Sequence, residues 1–323
     1  MSHQMSVDAA YQPITDLAQM YPSVAAGKQA LAASDWPRFA QIVEQAPTWD
    51  ERQLVISCAD DDDHADFLRS VMATQPSPLA ATMLADQTIA AGWRIRGNGT
   101  GDTVSQDQWR RTGEYLDQAE QNLIWACAVD PGFVPAWSLR ITNSMALSLG
   151  QAESRRRYAH VTAIDPLNLA AQHAMMTELC AKWHGDSATM NSFALKCAED
   201  APDGSFNPVI IVHAHAENAL ALALDGTVGL GDAWKSHFAR PDVRAQIRWA
   251  AQKSVLSPAF RHDPGWVSAV GSFATGLACC EDWAPARYCF EQLGPYASYA
   301  GLPFHSNAAA RFASLRSTAL ERG

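Results

Sequence analysis

Apolar residues along this chain recur three and four positions apart, which is the spacing that lines one face of an α-helix. Runs in which β-branched and polar residues alternate, as they would in a half-buried strand, are scarce. Alanine is abundant, and short Gly, Pro or Asp punctuation separates segments of about helix length. The pattern therefore predicts an all-α protein.

Three segments in the middle of the chain carry the same spacing, with residues of interest at relative positions 0, 4, 7 and 12. In the first segment the order is small, large, small and proline. Small residues let a paired helix approach, the large residue fills the gap, and proline ends the helix. The spacing predicts the second helix of three helical hairpins. The three sets are Ala119, Leu123, Ala126 and Pro131; Ser154, Tyr158, Val161 and Pro166; and Met190, Ala194, Cys197 and Pro202.

This spacing resembles the tetratricopeptide repeat, which has a period of about 34 residues and an A-x3-F…P pattern. Trp137 lies where the first helix of the next repeat would carry its tryptophan, although Ile141 and Ser144 stand where Gly and Tyr are usual. The resemblance covers residues 115–204 and extends to 263–294. It implies an α-solenoid of antiparallel helix hairpins in a right-handed superhelical array, with capping helices at its ends.

Three segments interrupt the helical pattern. The Gly-rich stretch Arg94–Asp107 follows a predicted helix rather than a strand, so a connector is expected and not a phosphate-binding loop. Asp225–Trp234 is predicted to be a second loop. Ala59–Asp66, "ADDDDHAD", lacks the alternating ligands and central Gly of a calcium loop and predicts an exposed acidic turn.

The predicted organisation has three parts. Divergent helical hairpins occupy residues 1–95, a Gly-rich loop occupies 96–107, and tetratricopeptide-like repeats with a C-terminal capping helix occupy 108–323. The uncharged run Pro264–Cys280 is rich in Gly, Ser and Ala, so it predicts a closely packed buried helix rather than a membrane span.

Charge and cysteine content narrow the classes of function. The formal net charge of −10 argues against a nucleic-acid partner. The one dense basic run, Ser154–Tyr158, predicts a solvated helix face. Seven cysteines without a C-x-x-C pair predict buried, reduced thiols. Together with the absence of a signal-peptide pattern at the N-terminus, they lead us to expect a cytoplasmic protein with no membrane association.

His213, His215 and Glu217 raise the question of an active site. His213 and Glu217 are four residues apart and share a helix face, whereas His215 lies about 200° around the helix from His213. The three side chains cannot converge on one ion from a single helix, and no H-E-x-x-H motif supplies other ligands. We therefore expect His215 to be a core residue, hydrogen-bonded through its ring. No catalytic residues, metal or cofactor are predicted.

The leading functional hypothesis is a non-enzymatic scaffold that binds a protein or peptide segment along the concave groove of the array. The acidic net charge favours a basic or apolar partner. The carboxylate clamp known among such repeats is not expected, because Ser138 and Thr142 replace its Lys and Asn. The residues predicted to line the groove are Ser138, Thr142, Met145, His173, Thr177, His213 and Glu217.

Two alternatives remain open at the level of the sequence. One is a metal-dependent hydrolase centred on His213 and Glu217, with His173, His184 and Asp186 as further candidates, which metal analysis with and without chelator would distinguish. The other is a structural subunit whose groove is filled by its own C-terminal helix. Neither the partner's identity nor the oligomeric state follows from the sequence.

Overall fold

The structure, a computed structural model, describes residues 11–59, 64–97, 103–183 and 185–323. Helices account for 73% of the described residues, which contain no β-strand. The nearest approach to one is an isolated parallel bridge between Ile14 and Tyr296. The prediction of an all-α protein is confirmed. Helices are numbered here in chain order, beginning with the short helix α1 at Leu17–Met20.

The chain forms two compact units, of which the first contains Tyr21–Leu179 with Trp183 and Gly185. Consecutive helices of this unit pack against each other from α2 to α4 and from α5 to α10, and α8 also packs against α4, α6 and α10. Its α-helices are α2 (Pro22–Ala32), α3 (Trp36–Gln45), α4 (Trp49–Ile56), α5 (Ala65–Thr74), α6 (Pro78–Arg96), α7 (Gln106–Val129), α8 (Val134–Ala146), α9 (Gln151–Ile164) and α10 (Leu169–Glu178).

The second unit contains the described part of residues 1–20, Cys180–Lys182 and Asp186–Gly323. Consecutive helices pack from α11 to α17, and α12 also contacts α14 and α15. Besides α1, its α-helices are α11 (Ser187–Asp200), α12 (Ile210–Leu224), α13 (Leu230–Phe238), α14 (Pro241–Lys253), α15 (Trp266–Cys279), α16 (Trp283–Leu293) and α17 (Ala308–Arg322).

The repeated spacing marks the second helices of the predicted hairpins. Helices α7, α9 and α11 each end two residues before one of the three prolines, as proline's missing N–H and ring clash require. Nearly all the small and large residues of the pattern are buried, and Tyr158 is half-buried. Neighbouring helices therefore pack along the faces that the spacing predicts, while the superhelical arrangement of the whole array stays a prediction.

Trp137 is buried in the core of the first unit, as the repeat pattern predicts. Its Nε1 donates a hydrogen bond to the Pro131 carbonyl oxygen at 3.0 Å. The Arg140 guanidinium lies 4.9 Å from the centre of the indole ring, and the imidazole of His160 lies 4.0 Å from it. The indole thus joins α8 to α9 and to the turn that follows α7.

The prediction of a solvated face for Ser154–Tyr158 is wrong for two of its residues. Ser154 and Arg157 are buried, because this side of α9 packs against α8 and Arg157 reaches Glu120 of α7. Arg157 donates to Glu120 Oε2 at 3.2 Å, and Arg140 donates to Glu120 Oε1 at 2.8 Å. Asn143 adds a third donor to Glu120 at 2.9 Å. The buried guanidinium is tolerated because a buried carboxylate faces it.

Helix α15 is the closely packed helix that the Gly- and Ala-rich run predicts. Residues 267 and 269–278 are buried along its length. A Cβ added at Gly276 would lie 2.9 Å from Val212 Cγ1, so the missing side chain lets α12 and α15 approach. No helix in the described part of the chain is long and apolar enough to cross a membrane.

Several predicted boundaries can be compared with the helices. The connector predicted at Arg94–Asp107 is shorter, because α6 continues to Arg96 and α7 begins at Gln106, and its residues 98–102 lie outside the described residues. The loop predicted at Asp225–Trp234 ends at Gly229, where α13 follows. Residues 60–63 of the predicted acidic turn also lie outside the described residues. The three-part organisation over 1–95, 96–107 and 108–323 stays a prediction.

The cysteines and the C-terminal helix also contribute to the buried core. None of the seven cysteines forms a disulfide, and six are buried while Cys279 is half-buried, so the predicted burial of the thiols is confirmed for those six. Burial raises the pKa of the Cys280 and Cys289 thiols to about 12. Helix α17 packs on α15 and α16 through Phe312, whose ring meets that of Phe290 edge to face.

Candidate functional site

The predicted groove residues of α8 lie at different depths. Ser138 and Met145 are buried, and Thr142 is half-buried. The Ser138 hydroxyl donates to Asn168 Oδ1 at 3.2 Å, and that same oxygen accepts from the backbone N–H of Ala171 as the N-cap of α10. Ser138 therefore ties α8 to the start of α10.

Ser138 and Thr142 line a shared cavity of about 130 Å³ in the first unit. Helices α4, α6 and α10 supply the other walls, so α8 faces a pocket at this point. The lining mixes apolar and polar side chains and includes one carboxylate, that of Asp86. The full lining is Gln53, Ile56, Thr82, Asp86, Pro135, Ser138, Leu139, Thr142 and Ala170.

A second carboxylate, Asp50, lies on α4 one turn before Gln53 of this cavity. Burial raises the pKa of Asp50 to about 6, and the neighbouring carboxylate of Asp165 acts in the same direction. A hydrogen bond from the backbone of Leu169 partly offsets both effects. Asp50 and Asp165 repel each other and would both be stabilised by a cation placed between or beside them.

His173 and Thr177, the predicted groove residues of α10, are exposed and half-buried respectively. The Thr177 hydroxyl donates to the His173 carbonyl oxygen at 2.9 Å, an ordinary bond within a helix. Met145, further along α8, does not line the cavity formed by Ser138 and Thr142. Contact of these three residues with a partner stays a prediction.

In the second unit, the predicted groove residues of α12 have partners within the chain. His213 Nε2 lies 3.3 Å from the Ser272 hydroxyl of α15. The Glu217 carboxylate pairs with Lys182 at 2.7 Å, and Lys182 Nζ lies 4.8 Å from the centre of the Phe304 ring. The Glu217 side chain is only 11% exposed, so a groove-bound partner would have to compete with Lys182 for it.

His215 occupies the core position predicted from its helix angle. It is buried, its Nδ1 lies 3.1 Å from His237 Nε2, and its Nε2 lies 3.0 Å from Gln246 Oε1. Burial, with the adjacent His237 as the second cause, lowers the pKa of His215 to about 4. Burial lowers the pKa of His237 to about 4 as well, with Arg240 as the second cause. Both imidazoles are neutral at pH 7, and the predicted ring hydrogen bonding is confirmed.

A larger cavity of about 420 Å³ lies beside this histidine pair. Helices α11, α12 and α14 supply most of its walls, and His237 comes from α13. The exposed ion pair between Arg240 and Asp242, with Nε and Oδ1 3.1 Å apart, belongs to the same lining. The full lining is Ser187, Asn191, His215, Asn218, Ala221, Leu222, His237, Arg240, Asp242, Val243 and Gln246.

The side chains considered for a metal-dependent hydrolase do not form one cluster of ligands. Among the described residues, no three His, Cys, Asp or Glu side chains are grouped as a metal ion would require. Asp186 caps α11, with its Oδ1 accepting from the Thr189 backbone N–H at 2.8 Å. His184 lies outside the described residues. None of these contacts supports the metal-dependent hydrolase alternative.

Comparison with protein-family models finds no match for this chain, and a search of curated proteins finds no similar sequence. The function of this chain therefore has to be inferred from its own residues.

Sequence analysis missed the residues that complete the two cavities. His237, Asn218 and Gln246 lie on three helices, and nothing in their spacing connects them. In the sequence, His237 is a lone histidine three residues after Trp234, the last residue of a predicted loop, and this position alone does not indicate a cavity. Gln53 and Asp86 of the smaller cavity belong to the N-terminal helices, for which the repeat pattern provides no register.

Proposed function

We propose that this chain is a non-enzymatic binding protein built from helical repeats, and that it holds a segment of a partner protein on the α8 face of the first unit. One observation supports this proposal above the others. Ser138 and Thr142, assigned to the groove from the repeat register alone, line one cavity together with residues of α4 and α6. Ser138 and Thr142, which the repeat resemblance assigns to the ligand-binding groove, thus lie at a concave part of the surface.

The volume of the cavity indicates what it would hold. Pockets that enclose a whole small molecule usually measure about 300–1,000 Å³, whereas this one measures about 130 Å³. That volume suits a single side chain. A partner segment would therefore lie along the surface and insert one anchor residue, as the central residues of protein interfaces do.

The lining favours a lysine or arginine as the anchor. Ile56, Pro135 and Leu139 provide apolar contact for a methylene stem, and Asp86 provides a carboxylate for a cationic head. The half-buried carboxylate of Asp50 lies on the adjoining turn of α4. Burial and the neighbouring carboxylate of Asp165 raise its pKa, and a cation beside it would act in the opposite direction. The net charge of −10 favours encounter with a basic segment.

The remaining parts of the proposal follow the repeat resemblance. The antiparallel hairpins would follow the right-handed superhelical arrangement of such repeats, with α17 as the C-terminal cap. Seven cysteines without a disulfide suit a reducing compartment, so a cytoplasmic location is part of the proposal.

Selection from a peptide library on the immobilised full chain tests this function. We expect enriched peptides to share one Lys or Arg within an apolar context. Thr142→Phe, which fills the cavity, and Asp86→Asn, which removes its charge, should each weaken binding at least about tenfold, or about 1.4 kcal/mol. Thr74→Phe and Asp117→Asn place the same changes at exposed positions of the first unit and serve as matched controls.

The outcome depends on the contrast between variants and controls. Thermal melting of each variant establishes that it is folded before its affinity is compared. If no peptide is enriched, or if the enriched peptides bind the Thr142→Phe and Asp86→Asn variants as tightly as the wild type, the proposed function is wrong.

A further inference from the structure

Residues 11–16 of the second unit, which we call the arm, pair with Pro295–Ala297 after α16, which we call the docking edge. The backbone N–H of Ile14 donates to the Pro295 carbonyl oxygen at 2.8 Å, and the N–H of Ala297 donates to the Ile14 carbonyl oxygen at 2.9 Å. These two bonds flank the isolated parallel bridge between Ile14 and Tyr296. The arm therefore docks as an added strand does, through bonds between backbones.

Tyr11 adds contacts of its side chain to these backbone bonds. Its hydroxyl donates to the Tyr296 carbonyl oxygen at 3.4 Å, and the Arg316 guanidinium of α17 lies 4.1 Å from the centre of its ring. A guanidinium over an aromatic face is attracted to it. Ile14 follows three positions later, so the docking edge fits an aromatic residue with an unblocked backbone N–H three positions beyond it.

The docking edge is held in place by the core of the second unit. Ala297 is buried, and the Tyr296 ring meets that of Trp266 edge to face, with the ring centres 6.1 Å apart. A Cβ added at Gly271 of α15 would lie 3.0 Å from the Ser298 carbonyl oxygen, so α15 closely contacts the residue that follows the edge. None of these contacts involves the arm. We therefore expect the edge to keep its shape when the arm leaves.

The arm itself is attached much less firmly. None of residues 11–20, all of which the structure describes, is buried. Tyr21, where the first unit begins, is by contrast only 5% exposed. Segments with few buried contacts open locally at a much lower free energy than the whole protein unfolds. The arm can therefore leave the docking edge while both units stay folded.

We propose that the docking edge is an interface between copies of this chain, occupied by the arm of a second copy in exchange for the chain's own arm. A second copy is the occupant because it carries the segment that the structure shows on the edge. Mutual exchange re-forms every bond of the arm in both copies and closes as a two-fold dimer. The proposal does not depend on the partner-segment pocket of the first unit.

The tether of the arm determines when exchange takes place. A short flexible connection gives the chain's own arm an effective concentration in the millimolar range. The arm of a second copy competes with it only when the protein concentration approaches about 1 mM. The dimer should therefore appear at high local concentration and dissociate on dilution.

The first experiment measures whether the docking edge accepts the arm from another molecule. A fluorescent peptide with the sequence of residues 11–18 is titrated with the full chain carrying Tyr11→Ala and Ile14→Pro, the arm variant. These changes remove the Tyr11 contacts and the Ile14 N–H, so the tethered arm no longer competes. The peptide should bind the arm variant with a Kd of about 1 mM or lower, and the wild type at least about tenfold more weakly.

Two controls locate the bound peptide. A peptide with the same Ala and Pro replacements should not bind the arm variant, because it lacks the same two contacts. Arg316→Ala, added to the arm variant, removes the guanidinium over the tyrosine ring and should weaken binding of the original peptide about two- to fivefold.

The second experiment measures the exchange between whole chains. Sedimentation equilibrium of the wild type at about 10 μM should give a monomer, and at about 1 mM a substantial share of dimer. The arm variant should stay monomeric at both concentrations. Gln12→Ala changes an exposed residue of the arm, and Ile14→Val keeps the backbone N–H, so both should dimerise as the wild type does.

Three results would overturn the proposal. The first is a folded arm variant that does not bind the peptide at about 1 mM, which would mean that the edge is not a docking site. The second is a wild type that stays monomeric at the higher concentration. The third is a folded arm variant that dimerises as the wild type does, which would place the contact elsewhere. Melting curves establish that each variant is folded, and the wild-type sedimentation stands even if a variant is not.

Discussion

At the scale of the residue, buried polar side chains differ in how completely the protein satisfies their hydrogen bonds. Glu120 accepts from Arg140, Asn143 and Arg157, so its buried carboxylate is satisfied. His237, by contrast, has one satisfied and one unsatisfied nitrogen. The first arrangement offsets the cost of burying a carboxylate, and the second leaves one buried nitrogen whose lost hydration no hydrogen bond offsets.

Replacement of Trp137 by alanine tests the packing of a repeat position. The change removes a buried indole together with its hydrogen bond to Pro131, so we expect a loss of about 3–5 kcal/mol in the free energy of unfolding. Trp125→Ala removes a partly exposed indole from α7 and should cost about 1 kcal/mol or less. Urea denaturation measures both, and equal losses would mean that Trp137 does not hold the position described.

The histidine pair predicts how stability depends on pH. An unfolded histidine has a pKa near 6.5, whereas His215 and His237 have folded-state pKa values of about 4. Between these values the unfolded chain binds protons that the folded chain does not. The contribution of the pair is therefore lost as the pH falls from about 6.5 towards 4.

A single substitution isolates this effect. The free energy of unfolding is measured at about pH 7.5 and at about pH 4.5. Its decrease between the two pH values should be about 2 kcal/mol smaller in His237→Phe than in the wild type. Other titrating groups, including Asp50 with its raised pKa, contribute equally to both proteins. His262→Phe, at an exposed site, should follow the wild type. An identical pH dependence in His237→Phe and wild type would show that the pair titrates normally.

At the scale of the element, close approach between helices depends on where glycine occurs. Gly276 in α15 and Gly113 in α7 are both inside helices, but a Cβ at Gly276 would meet Val212 at 2.9 Å, while one at Gly113 would meet nothing within 4 Å. Val212 is fully buried and β-branched, so it cannot easily move aside. The same substitution should therefore have opposite effects at the two sites.

We expect Gly113→Ala to stabilise the protein by about 1 kcal/mol, the usual helix-propensity gain. Gly276→Ala should destabilise it by about 1–3 kcal/mol, because overpacking exceeds that gain. Chemical denaturation of both variants is sufficient. Stabilisation by both changes would contradict the packing of α12 against α15.

The helices were predictable where local rules apply. Pro131, Pro166 and Pro202 each end a helix, because a proline acts through its own backbone, and the buried face of α7 follows from its spacing. Burial of Arg157 could not be foreseen, since it depends on Glu120, which lies 37 residues earlier in the chain. The cavities escaped sequence analysis for the same reason, because each gathers residues from several separate helices.

At the scale of the whole molecule, the chain divides into two compact units that each contain a candidate site of a different kind. The first offers a small pocket with a carboxylate, at positions that the repeat pattern assigns to ligands. The second contains a larger cavity beside the buried His215–His237 pair, and the exposed ion pair of Arg240 and Asp242 is part of its lining.

Amide hydrogen exchange tests the central claim, that the α8 face of the first unit binds a partner segment. The full chain is compared with and without a saturating amount of a peptide selected for binding. Exchange should slow in α4 and α8, Trp49–Ile56 and Val134–Ala146, whose residues line the pocket. Slowed exchange confined to helices of the second unit, with α4 and α8 unchanged, would contradict the claim.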